Sequence, residues 1–199
     1  TISALITWPP GLDIASAKNL PMIVMPHGGP ERFDYQRFDW WAQAIASRGY
    51  IVLQPNFRGS SGFGAQHLLA GRGEWGAKMQ DDVSDGVTAL INEGVVDPDR
   101  VCIMGASYGG YSALAGGAFS PELYRCVVAV AGVSDLPRML SDTARRMGRR
   151  HWVNDYWGEL IGDRKEDREK LKDISPARFA ESFKAPVLLI HGRDDTVVP

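Results

Sequence analysis

The run Gly105-Ala106-Ser107-Tyr108-Gly109-Gly110 follows the aliphatic stretch Val101-Cys102-Ile103-Met104 and precedes Tyr111-Ser112-Ala113-Leu114-Ala115. A strand that turns sharply into a helix lifts a serine hydroxyl above the sheet. The turn presses together the backbones two before and two after that serine, so only small residues fit there. Gly105, Gly109 and Gly110 meet this demand, and Ser107 is the candidate nucleophile. A serine that merely caps its helix is the competing reading. The glycines on both sides and two further runs outweigh it.

The first of these runs, His27-Gly28-Gly29-Pro30, comes directly after the apolar stretch Met22–Met25. A glycine pair there lets a backbone N–H face the oxygen of a reacting carbonyl. Two such donors are wanted to stabilise the oxyanion of acyl transfer. The N–H groups of Gly29 and of Tyr108, just after the nucleophile, are the candidates. The second run, His191-Gly192-Arg193-Asp194-Asp195-Thr196-Val197-Val198-Pro199, follows Val187-Leu188-Leu189-Ile190. A carboxylate on a loop after a late strand can orient the imidazole that accepts the serine proton. Asp195 is the candidate acid, and Asp194 is expected to serve the turn by bonding backbone N–H groups.

That imidazole is the missing part. Chain order nucleophile, acid, histidine puts the base after Asp195, where only four residues follow. All four histidines, His27, His67, His151 and His191, precede it. His27 and His191 stand at strand ends, His67 on the loop after a glycine-rich run, and His151 beside Trp152. None is assigned as general base.

Elements must hold these residues in place. Apolar runs at Ala4–Trp8, Met22–Met25, Tyr50–Leu53, Arg100–Met104, Cys126–Ala131 and Val187–Ile190 read as strands. Amphipathic segments at Phe38–Ser47, Asp81–Asn92, Ser107–Ala118 and Pro176–Phe183 read as helices. Alternation of the two predicts an α/β fold, a mostly parallel sheet with helices on both faces. Residues 136–172 exceed what a crossover needs and predict a helical excursion over the sheet. Its Arg145, Arg146, Arg149 and Arg150 are read as solvated faces.

At 199 residues, 44% apolar and 23% charged, the chain suits one globular core. A net charge of −2 offers no footprint for nucleic acid, and no apolar run reaches the roughly 20 residues of a membrane span. Cys102 and Cys126 each lie in an apolar run and read as free core thiols, which favours a cytoplasmic setting. Metal-ligand spacings such as CxxC or HExxH are absent, and neither metal nor cofactor is expected.

The motifs HGGP, NFRGSSGFG (56–64), GASYGGY (105–111) and HGRDDTVVP (191–199) together resemble the catalytic domain of the prolyl oligopeptidase family of serine peptidases, nearest its acylaminoacyl peptidase and dipeptidyl peptidase branches. The resemblance implies an α/β-hydrolase fold, Ser107 as nucleophile, Asp195 as acid, and Gly29 and Tyr108 as oxyanion donors. Some branches use a tyrosine hydroxyl where His27 stands; this chain resembles those that rely on the backbone. Residues 56–64 match a glycine-rich loop that does not open a helix and is therefore read as structural, not phosphate-binding. The resemblance further implies that residues 1–199 are part of a longer catalytic domain. Its last strand, histidine loop and closing helix would follow residue 199, and a β-propeller domain would precede residue 1. The implied substrate is a short peptide, with pocket walls from Tyr108, Val198 and the excursion, and a homo-oligomer is compatible with it. A carboxylesterase of the same fold is the rival enzyme reading. A non-catalytic fragment, lacking its histidine, is the rival of a different class.

Overall fold

Every residue from Ile51 to Asn56 is buried, which requires a strand covered on both faces. In the computed structural model, which describes residues 1–198, it is β3 of a six-stranded sheet. The other strands are β1 (Ser3–Thr7), β2 (Leu20–Val24), β4 (Val96–Ala106), β5 (Cys126–Val130) and β6 (Val187–Ile190). They lie in the order β1-β3-β2-β4-β5-β6. Only β1 runs antiparallel to its neighbour. Pro55, which has no N–H for a ladder, sits past the last β2–β3 pair, Val24 with Leu53.

Seven α-helices are described: α1 (Trp40–Ala46), α2 (Ala65–Leu69), α3 (Lys78–Asn92), α4 (Tyr108–Phe119), α5 (Leu136–Met147), α6 (Trp152–Leu160) and α7 (Arg168–Asp173). Side chains alternate across β3, and the core divides accordingly. Ile51 and Leu53 pack with Met79, Val83 and Val87 of α3 and with Ala113, Leu114 and Ala115 of α4. Val52 packs on the opposite face with Ala42 and Ala46 of α1. Helices therefore cover both faces, as the α/β reading expects. No helix among the described residues is long and apolar enough to cross a membrane.

Three expectations are corrected. Cys102 and Cys126 are not free: they stand opposite each other in the β4–β5 register and form a disulfide, with Cα atoms 4.7 Å apart. Two separate apolar runs carry no information about their mutual register, and with no free thiols the cysteines do not favour a cytoplasmic setting. Residues Pro176–Ser182 form 3-10 turns rather than a continuous helix, because Phe179 (φ −117°, ψ 30°) breaks it. Two helix starts differ: α3 begins three residues before the expected start, at Lys78, and the glycine-rich run 56–64, expected not to open a helix, leads directly into the five-residue α2 at Ala65. Among the described residues β6 pairs only with β5, and all four of its residues are exposed, Leu189 to 65%.

Candidate active site

β2, β4, β5 and β6 run parallel, so the loops that follow them share one edge of the sheet. In open α/β sheets that edge is where ligands bind. His27-Gly28-Gly29-Pro30 leaves β2 there, Ser107 ends β4, and Asp195 lies on the loop after β6.

Ser107 has φ 57° and ψ −119°, a conformation that L-residues rarely adopt and that marks a strained turn. The surrounding glycines explain how it survives. A Cβ on Gly105 would stand 2.3 Å from the Gly109 carbonyl oxygen, and one on Gly109 would stand 2.1 Å from that of Pro26. The Ser107 N–H donates to the Val130 carbonyl (3.0 Å), which ties the turn to β5. Among the described residues the Ser107 hydroxyl has no hydrogen-bond partner. Tyr108 is the first residue of α4 and has no acceptor within the helix, which leaves its N–H free. Gly28 lies against Ser107, 3.7 Å from the Ser107 Cβ to where a Gly28 Cβ would stand. Gly29 is exposed, with φ 131°.

Asp195 is anchored by its own loop. Its Oδ1 accepts from the N–H groups of Val197 (2.8 Å) and Val198 (2.9 Å). These bonds hold its carboxyl below the usual aspartate range. Asp195, not Asp194, therefore bonds the turn, contrary to the expected division of labour; it does so through one oxygen. Arg146 of α5 donates to the Thr196 carbonyl (3.1 Å), and Tyr156 of α6 donates to Glu31 (3.1 Å). The excursion helices thus touch both the acid loop and the loop after Pro30.

No histidine among the described residues is available to Ser107. His27 donates through Nδ1 to the Gly28 carbonyl (2.9 Å), meets the Ser60 hydroxyl at Nε2 (2.8 Å), and stacks on Phe57 at 4.4 Å. Burial holds it down to about 4, so its ring is neutral near pH 7. His67 meets the Phe57 carbonyl (3.1 Å), His151 accepts from the Val153 N–H (3.3 Å), and His191 meets the Val198 carbonyl (2.6 Å). No group of three His, Cys, Asp or Glu that could hold a metal occurs among the described residues.

Two cavities flank this edge. One, of about 640 Å³, is mainly apolar and is walled by Leu114, Val133, Met139, Phe183, Leu189 and Val198, with His191 beside them. The expected pairing of Tyr108 with Val198 in one pocket does not occur. The Tyr108 ring is 2% exposed, packed at 5.2 Å from Phe57 and 4.5 Å from Trp75, so it offers the site only its backbone. The other cavity, about 550 Å³, contains Ser107, Ala106, Gly28 and Gly29 and extends along residues 32–41.

Sequence reasoning misses that second wall. Its signal is Glu31-Arg32-Phe33-Asp34-Tyr35-Gln36-Arg37-Phe38-Asp39, where charges alternate with aromatics directly after the glycine turn. Also missed is Asp82, which accepts from the Arg58 backbone N–H (2.9 Å), Nε (2.7 Å) and Nη2 (2.7 Å) and so clamps the glycine-rich loop to α3.

Asp34 carries a testable liability. One carboxylate oxygen is buried without a partner. Burial, with Asp39 nearby, pushes the carboxyl up to about 6, against the pull of Arg37 and of the Gln54 side-chain amide. The folded state therefore keeps a proton that the unfolded state has already lost, and stability falls as pH rises from about 4 through about 6. About two pH units at about 1.4 kcal/mol each, reduced by solvent access, leave about 1–2 kcal/mol. Asp34→Asn should raise unfolding free energy by that amount at about pH 8 and change it little below about pH 4; urea denaturation at the two pH values measures it.

A model of the prolyl oligopeptidase family matches residues 36–199. Dipeptidyl aminopeptidase BIII of Pseudoxanthomonas mexicana is 38% identical over 88% of this chain and 25% of its own length. Dipeptidyl peptidase family member 6 of Caenorhabditis elegans is 34% identical over 98% of this chain and 29% of its own. A puromycin-hydrolyzing peptidase of Mycobacterium tuberculosis superposes on the whole chain and 29% of its own, with TM-score 0.89 and 29% identity. The chain spans about a quarter to three-tenths of the length of these relatives.

Proposed function

This chain belongs to the prolyl oligopeptidase family, and from that premise we propose that the protein containing it is a serine peptidase acting through an acyl-enzyme on Ser107. The observation that carries the proposal is the Ser107 turn: a strained, otherwise unbonded serine held between glycines beside the Gly28–Gly29 pair. Ser107 Oγ attacks the scissile carbonyl carbon, and its proton passes to a histidine supplied from outside residues 1–199. The N–H groups of Gly29 and Tyr108 hold the oxyanion, in the manner of donors that typically contribute about 3 kcal/mol each to the transition state. The intermediate collapses, the histidine gives its proton to the departing amine, and water then hydrolyses the ester on Ser107. Asp195 Oδ2, free of the turn bonds made by Oδ1, orients that histidine.

The dipeptidyl names of the two relatives support release of short N-terminal pieces, and an N-terminal propeller would confine the substrate to short peptides. Val198, on the loop that carries Asp195, is the wall this reading offers to the acyl-side residue. An esterase is the rival, because an ester departs as an alkoxide needing less help from the acid than an amine does. Dipeptidyl anilides should therefore be turned over alongside simple esters by the protein containing this chain; turnover of esters alone refutes the peptidase reading.

A further inference from the structure

The cavity that joins Ser107 to residues 32–41 has a composition that the acyl-enzyme chemistry does not require. Arg32 stands beside the glycine turn, its Cγ 3.2 Å from where a Gly29 Cβ would be. Arg37 rests on Tyr35, its guanidinium carbon 4.9 Å from the ring centroid and Nη1 3.5 Å from the hydroxyl. Both line the cavity. Neither has a carboxylate within 4 Å among the described residues, although Arg37 is near enough to Asp34 to pull its carboxyl down. Between them Asp34 presents a buried oxygen that no donor meets. The cavity therefore offers two guanidinium groups, one open acceptor on Asp34, and a second carboxylate, Asp39, whose Oδ1 is taken up by the Ala42 N–H (3.0 Å).

We propose that this cavity holds the leaving half of the peptide and that Arg32 and Arg37 make it select a free terminal carboxylate, with Asp34 accepting a peptide N–H. A dipeptide leaving group carries that pair of features, one N–H and one carboxylate, and about 550 Å³ lies within the range of pockets for molecules of such size. Guanidinium groups pair with carboxylates through fork-like N–H donors, which discriminates strongly against an uncharged amide. This inference rests on the peptidase reading and on the acyl half occupying the apolar side by Val198. Short peptides, cut two residues from their C-terminus, are then the preferred substrates.

The test compares tetrapeptides ending in a free carboxylate with the same tetrapeptides ending in a carboxamide, in the protein that contains this chain. The expected kcat/KM ratio favours the free acid by about 10- to 100-fold, the usual worth of a charged hydrogen bond. It should collapse to within about threefold in an Arg32→Ala, Arg37→Ala double variant and be partly restored by Arg37→Lys with Arg32 intact. Equal rates on acid and amide, with turnover present, overturn this proposal and leave the peptidase reading standing. A ratio that survives in the double variant also overturns it, as does dependence of those arginines on the substrate's N-terminal amine instead of its carboxylate. The same preference is read without turnover, by NMR titration of Ser107→Ala protein with Gly-Gly and its carboxamide. Preferential binding of Gly-Gly that the arginine variants lose supports the site even if no peptide is cut. Indifferent binding refutes it.

Discussion

Ser107→Ala, in the protein that contains this chain, lowers peptide hydrolysis by about 10⁵- to 10⁶-fold and leaves stability within about 0.5 kcal/mol. The size follows from the role, since without the hydroxyl no acyl-enzyme forms and only binding and oxyanion stabilisation remain. The neutrality follows from the structure. Among the described residues Ser107 Oγ has no partner to lose, and alanine keeps the Cβ that makes φ 57° costly. A serine that merely capped α4 would behave in the opposite way, losing about 1 kcal/mol on conversion to alanine with no effect on rate. Ser107→Gly sharpens the contrast: removing the Cβ should stabilise the fold by about 1–2 kcal/mol while remaining inactive. Steady-state kinetics on a dipeptidyl anilide and urea denaturation of the three proteins read both quantities.

The second large effect concerns the turn itself. Gly109→Ala places a carbon 2.1 Å from the Pro26 carbonyl oxygen and 3.2 Å from that of His27, both backbone atoms. No rotamer can relieve such a contact, so either α4 or the strand end before His27 must shift. A loss of about 4 kcal/mol or more is expected, at the extreme of single substitutions. Loss of Ser107 labelling by a fluorophosphonate probe should accompany it in the protein that contains this chain, because Pro26 precedes the turn whose Gly29 N–H is the proposed oxyanion donor. Gly158→Ala in α6 is the matched control. Nothing lies within 4 Å of its added carbon, and alanine favours helix, so about 0.5–1 kcal/mol of stabilisation is expected. If both glycines respond alike, the steric account of the turn is wrong.

These two positions also show which features a chain of letters can disclose. The turn at Ser107 is readable because its constraint is local: strand, small residue, nucleophile, small residue, helix are consecutive in the chain. The glycine pair at 28–29 is readable for the same reason, and the alternation of strands and helices suffices for the sheet. Features set by lateral register are not. Cys102 and Cys126 meet because β4 and β5 align in one register out of several. The Tyr108 ring is packed against Phe57 and Trp75, residues distant in sequence. The two aspartates at 194–195 look equivalent in the chain, and only the loop geometry gives the N–H groups of Val197 and Val198 to Asp195. The wall at 32–41 stays hidden because an irregular segment has no periodicity to betray which side it presents.

The bond from Arg146 to the Thr196 carbonyl joins α5 of the excursion to the loop that carries Asp195. A substitution at Arg146 therefore reaches a loop 50 residues further along the chain without altering any residue of it.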